Sequence, residues 1–185
     1  MFLFIINIYN VIIAEIFRLD SHQGKHCMLL ICGKICSGKS YYVNSLKTET
    51  GAVVLSCDEL TSELFDNNLG DKHDAMMVRV HRYLHKKAAE IALSGCPVIL
   101  EWGFWRKADR EYAKKYYVNQ DIPVELHYID ISDAAWQKNI DARNRAVALG
   151  ETTDYALDEG LLHKLLSLFE EPTREEVDVW YVNKR

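Results

Sequence analysis

Gly33-Lys34-Ile35-Cys36-Ser37-Gly38-Lys39-Ser40 is the stretch from which the rest of the chain is read. It matches G-x-x-x-x-G-K-[ST], and it stands after the apolar run MLLICG (28–33) and before a helical stretch over 38–47. Each residue type has a physical reason. Gly33 and Gly38 permit backbone angles that turn successive N–H groups toward one point. The helix start behind them adds the positive end of its dipole, which favours phosphate. Lys39 is long enough to reach β- and γ-phosphates, and the Ser40 hydroxyl is placed for Mg²⁺. Gly33, Ser37, Gly38, Lys39, Ser40 and Tyr41 are therefore the candidate nucleotide-binding residues, with Lys39 also catalytic. Lys34 and Cys36 read as bystanders.

Outward from the loop, apolar runs alternate with helical spacing. Strands are expected at 28–33, 52–56, 97–101, 124–130 and 177–182. Helices are expected at 38–47, 71–94, 106–118, 133–149 and 155–169, with Ser132 or Asp133 capping the fourth. Near-continuous apolar strands separated by helices predict an α/β fold with a mostly parallel five-stranded sheet covered by helices on both faces.

The composition agrees. With 185 residues, 49% hydrophobic and 26% charged, the chain has enough apolar material for one folded domain. Its 22 Lys plus Arg against 27 Asp plus Glu leave a charge of −5, which argues against non-specific duplex binding. The 5 cysteines form no C-x-x-C, so a disulfide framework or zinc site is not expected and a reducing cytoplasm is. Residues 1–17 (MFLFIINIYNVIIAEIF) are apolar but interrupted by Asn7, Asn10 and Glu15. They are short for a spanning helix and lack the basic start of a signal peptide. A membrane-surface helix or an extra packing element are alternatives; residues 1–27 read best as an upstream extension, with the working domain at 28–185 and no stable membrane insertion.

Ligands of such sheets sit beyond the carboxyl ends of the strands. Asp58, just past the second strand, is placed to take the proton of an acceptor hydroxyl; the alternative is a helix-capping acid. Glu101, ending the third strand, is the candidate second metal group; the alternative is a solvated strand end. Trp105, Arg106 and Arg110 are candidate substrate contacts, against core packing for Trp105 and surface pairing with Asp109 or Glu111 for the arginines. Arg143 is the candidate lid arginine, Arg145 the second choice, against an exposed helix face. His81 and His85 lie one helical turn apart and read as a solvated face rather than a metal pair, and Arg79, Arg82, Lys86 and Lys87 likewise. His127 reads as a buried, satisfied histidine.

The loop, VVLSCDEL (53–60), VILEWGFWRKADREYAKKY (98–116), VELHYIDISDAAWQKNIDARN (124–144) and FEEPTREEVD (169–178) together resemble the P-loop kinases grouped as AAA-type ATP-binding proteins, near chloramphenicol phosphotransferases, zeta toxins and polynucleotide kinases. The resemblance implies the three-layer P-loop NTPase sandwich and an ATP- and Mg²⁺-dependent kinase acting on a small hydroxyl substrate. It maps Lys39 and Ser40 to phosphate and metal, Asp58 to the general base, Arg143 to the lid, and Pro172 and Thr173 to the adenine side. Two positions depart from it: Glu101 replaces the usual Asp, and Asn139 stands where an additional lid arginine is common. A regulatory ATPase without an acceptor, a polynucleotide 5′-hydroxyl kinase, and a toxin or resistance factor acting on a sugar nucleotide or antibiotic are the competing readings.

Overall fold

The computed structural model describes residues 27–65, 69–152 and 154–184. The apolar segment expected to extend the chain upstream lies outside them, apart from Cys27. Strands β1 (Met28–Cys32), β2 (Val53–Ser56), β3 (Val98–Gly103), β4 (Val124–Ile131) and β5 (Val179–Asn183) form one sheet in the order β2-β3-β1-β4-β5. Every pairing is parallel. The central β1 is buried at all 5 residues, which is why MLLIC contains no polar side chain. Its neighbours on either side are β3 and β4, so the chain reverses its direction of travel across the sheet at β1, where ligands of doubly wound sheets bind.

Helices α1 (Lys39–Thr50), α2 (Cys57–Phe65), α3 (His73–Leu93), α4 (Lys107–Val118), α5 (Asp133–Ala148) and α6 (Glu159–Ser167) complete the described fold. Leu29, Ile31, Ile99 and Ile129 face α1 through Val43. Met28, Leu30, Leu100 and Leu126 face the opposite way, against Ala88, Ala89 and Ala92 of α3 and Ala113 and Tyr117 of α4. The alanines let α3 approach the sheet closely. A third cluster caps the carboxyl edge: Ile35 of the phosphate loop packs with Ile140 of α5, Leu157, and the α6 leucines.

Three local readings change. The helix α2 directly follows β2, because the Ser56 hydroxyl accepts the Glu59 N–H at 3.3 Å and caps it. The helix expected over 155–169 begins only at Glu159, capped by Asp158. Residues 155–157 stay outside the helix, tied by tertiary bonds: Asn144 of α5 both accepts the Leu157 N–H (2.7 Å) and donates to the Leu157 carbonyl (2.9 Å). His81 and His85 do not lie on a solvated face. His81 stacks on Trp102 (5.3 Å, 17°), and His85 is 6% exposed, bonded to the Tyr117 hydroxyl at 2.8 Å. His127 is buried as expected, between the Tyr42 hydroxyl and Glu125.

Burial pushes the His85 pKa down to about 4. A histidine kept neutral by the fold contributes stability that is complete above its unfolded pKa of about 6.5 and is lost as pH falls toward the folded value. Urea unfolding should show up to about 3 kcal/mol lost between roughly pH 6.5 and 4 from this group. Replacing His85 with Gln should flatten the upper part of that profile, above about pH 5, where few carboxylates titrate.

Candidate active site

The phosphate loop is shaped by what its carbonyls bond to. Trp105 Nε1 donates to the Gly33 carbonyl at 3.1 Å, and Lys39 Nζ to the Gly33 and Lys34 carbonyls at 3.0 and 2.9 Å. Trp136 Nε1 donates to the Ile35 carbonyl at 2.7 Å. Asn139 Nδ2 donates to the Cys36 carbonyl at 3.0 Å, and Asn183 Nδ2 to the Ser37 carbonyl at 2.9 Å. Five consecutive carbonyls are thus held by side chains from outside or just beyond the loop. Carbonyls held in this way fix the peptide planes of the loop, and the Gly33 and Ser37 N–H groups donate to the Gly103 and Lys34 carbonyls, each at 3.2 Å.

The glycines are required by contact as well as by conformation. Gly38 has φ 92°, and a Cβ there would collide with Asn183 Nδ2. A Cβ on Gly33 would lie 2.7 Å from the Ser37 hydroxyl. Ser37 is fully buried, and its hydroxyl has no hydrogen-bond partner among the described residues. Tyr41 is half exposed, next to Ser40 on α1.

Lys39 is a buried ammonium turned onto the loop's own carbonyls, and burial lowers its pKa. The carboxylates of Asp58 and Glu101 oppose that shift, so both lie within electrostatic reach of it. Ser40 hydrogen-bonds to Glu101, whose carboxyl burial raises above its ordinary range. A hydroxyl and a single carboxylate are hard oxygen donors of the kind Mg²⁺ takes when substrate phosphates supply the remainder. No cluster of three or more His, Cys, Asp or Glu exists among the described residues.

Asp58 sits in the first turn of α2, exposed, while Ser56 does the capping. Its charge acts on Lys39, Glu101, His81 and Tyr155. It is therefore within electrostatic reach of the phosphate loop, the end of β3, the α3 face and the segment after α5. Arg143 projects from α5 with Nε bonded to the Tyr155 carbonyl at 3.2 Å, a 3.4 Å ion pair with Asp154, and its guanidinium 4.7 Å from the Tyr155 ring. It also hydrogen-bonds to the Cys36 side chain, which keeps it beside the loop.

Other expected site residues separate. Trp105 and Arg106 line a cleft of about 490 Å³ beside the β3 end. Arg110 does not. It is 2% exposed, donating to the carbonyls of Phe104 (3.1 Å), Trp105 (3.2 Å) and Glu170 (2.9 Å) and pairing with Glu176 at 3.2 Å. Its donors are committed to the chain itself, so it is a structural clamp rather than a substrate contact. The turn containing Pro172 and Thr173 belongs to that clamp: the Thr173 N–H donates to Glu176 at 2.9 Å, against α4. From this end of the chain, Asn183 is the residue bonded to the phosphate loop. Asn139 is likewise a brace for the loop rather than a weakened lid. Trp136 and Tyr155 were not singled out by sequence. The signal for Trp136 was present: Trp136, Asn139, Ile140 and Arg143 follow i, i+3, i+4, i+7 and so share one face of α5.

A family model described as an AAA domain matches residues 28–172, and the chain belongs to that family. No curated protein matches it. Among solved structures, a provisionally named kinase of Chloroflexus aurantiacus is similar with a TM-score of 0.66 at 18% identity, over 85% of this chain and 87% of that one. The Mycobacterium tuberculosis APS kinase, in complex with AMPPNP and APS, gives 0.60 at 20% identity over 87% and 90%. A gluconokinase from Sinorhizobium meliloti gives 0.56 at 13% identity over 85% and 83%. At such identities the likeness is one of fold, the P-loop kinase-like α/β sandwich.

The Trp136→Phe variant keeps an aromatic ring, smaller than the indole, and removes one donor from the loop. It should lower stability by about 1–3 kcal/mol, from the lost hydrogen bond and the lost packing together. Mg·ATP affinity should fall by up to roughly tenfold, measured by calorimetry beside urea unfolding.

Proposed function

We propose that this chain is an ATP- and Mg²⁺-dependent phosphotransferase that moves the γ-phosphate to a hydroxyl of a small molecule. The observation that carries the reading is the convergence of Lys39, Ser40, Glu101 and Asp58 at the carboxyl edge of the sheet, beside an open cleft. The loop N–H groups hold the phosphates. Lys39 leaves the Gly33 and Lys34 carbonyls for β- and γ-phosphate oxygens, which outcompete a neutral carbonyl for an ammonium. Ser40 and Glu101 hold Mg²⁺, which neutralises charge on the phosphate oxygens.

Asp58 accepts the acceptor's hydroxyl proton as the oxygen–phosphorus bond forms. The bond from the γ-phosphorus to the β–γ bridging oxygen breaks, ADP leaves with the electron pair, and the proton passes from Asp58 to water. Arg143 turns from Asp154 and the Tyr155 carbonyl toward the charge spread over the transferring group. Glu101 is one methylene longer than Asp, and its interaction with Ser40 supports the reading that this length suits a shared metal site. The five cysteines, none of them in a disulfide among the described residues and two of them buried, fit a reducing compartment such as the cytoplasm. No helix among the described residues is long and apolar enough to cross a membrane.

Two variants test the roles. Lys39→Ala should weaken Mg·ATP binding roughly 10–100-fold, the loss of a charge-assisted phosphate contact. Asp58→Asn should leave that affinity nearly unchanged while acceptor-dependent ADP formation falls roughly 10²–10⁴-fold, read in a coupled assay. ATP turnover indifferent both to every acceptor and to Asp58→Asn would instead indicate a regulatory ATPase.

A further inference from the structure

The cleft beside β3 has a chemistry of its own. One wall is the stacked pair His81 and Trp102, ring centroids 5.3 Å apart, continued by Phe104 at 5.0 Å from Trp102. His85 and Tyr112 lie behind it at 5.5 Å from each other. Burial lowers the pKa of both histidines, so at neutral pH this wall is an uncharged π surface. The rim is different. Arg82 and Arg106 both line the cleft and are both exposed, and neither side chain has a hydrogen-bond or ion-pair partner among the described residues. Asp109 is the one carboxylate in the lining, and its charge falls on His81. Two unpaired guanidiniums against one acid leave the rim cationic.

The cleft also adjoins the transfer site. Trp105 lines it while donating to the Gly33 carbonyl of the phosphate loop. The charge of Asp58 reaches His81 on its wall. A volume of about 490 Å³ is that of a small-molecule site and accommodates one ring system with a short polar arm.

We propose that the acceptor is a small molecule with a planar aromatic ring and an anionic group, its ring lying on the His81–Trp102 wall, its anion held by Arg82 and Arg106, and its hydroxyl directed at Asp58. This rests on the phosphotransferase reading above and narrows it. A polyhydroxylated sugar would leave the π wall without a matching face and set its hydroxyls against groups with few acceptors. A neutral ring would leave the two guanidiniums unmatched.

The test uses the full chain saturated with Mg·AMPPNP, whose own binding is measured first by calorimetry. Failure at that step overturns the phosphotransferase reading itself, separately from the acceptor class. Four probes are then titrated, following tryptophan fluorescence from the cleft: adenosine 3′-monophosphate and cytidine 3′-monophosphate (ring, anion and free 5′-hydroxyl), adenosine (ring alone) and gluconate (anion alone). The expected result is tightest binding by at least one of the monophosphates, with the same compound raising ADP formation when Mg·ATP replaces the analogue. In the Arg82→Gln, Arg106→Gln double variant, that affinity should fall roughly 10–100-fold while adenosine binding is unchanged. Both substitutions are at exposed positions, so folding is retained and is checked by circular dichroism. Gluconate binding as tightly as the monophosphates overturns the proposal, as does Mg·AMPPNP binding with no response to either monophosphate. A 5′-hydroxyl oligonucleotide binding more than about tenfold tighter than the monophosphates overturns the assignment to a small molecule.

Discussion

The anchoring of four loop carbonyls, those of Gly33, Ile35, Cys36 and Ser37, by side chains from elsewhere in the fold is the constraint on which the rest of the structure depends. A loop of this kind is a set of peptide dipoles that would rather point in different directions. Left alone, it would satisfy its carbonyls with water and lose its shape. Here the four donors are fixed by other parts of the fold: Trp105 after β3, Trp136 and Asn139 on α5, and Asn183 at the end of β5. The Lys34 carbonyl between them is met by the Ser37 N–H and by Lys39 of the loop itself. Strand order, helix placement and loop shape are therefore one problem. A change in how α5 lies on the sheet edge would release two of the anchors together.

That arrangement explains why buried polar groups cluster where they do. Arg110, which is almost fully buried, ties the β3–α4 connection to the segment leading into β5 through Phe104, Trp105, Glu170 and Glu176. By holding the Trp105 carbonyl it helps fix the residue whose indole holds Gly33. A buried guanidinium is tolerated because its donors meet carbonyls and one carboxylate. The clamp supports the site from behind, leaving Arg106, four residues earlier, free at the cleft.

Much of the site was legible because its chemistry is local in sequence. Gly33, Gly38, Lys39 and Ser40 are contiguous with the strand and helix that position them, so spacing alone carries their roles. Asp58 and Glu101 follow from the rule that parallel strands present ligands at their carboxyl ends. Arg110 was misread because periodicity gives a residue's face on its helix but not what covers that face, and the covering segment lies about sixty residues away, at Glu170 and Glu176. His81 and His85 were misread because charged neighbours on α3 suggested a solvated face, whereas Trp102 occupies it. The start of α6 was overextended because its leucine spacing carries no information about Asn144, which holds the preceding turn open.

By itself, then, the sequence determined the class of fold and the phosphate loop, because alternation of apolar runs and a contiguous motif are encoded within a few residues of one another. It also marked 28–33 as a buried strand, since an unbroken apolar run fits a strand covered on both faces, while its central place in the sheet came from the structure. The tertiary structure decided which side chains brace the loop, which arginine is clamp and which is free, and that two histidines and a tryptophan form one wall of a cleft. Those outcomes depend on pairs separated by 17 to 146 positions, such as His85 with Trp102 and Ser37 with Asn183. Contacts of that range are set by how helices settle on the sheet, and helix propensity and strand pattern do not specify it.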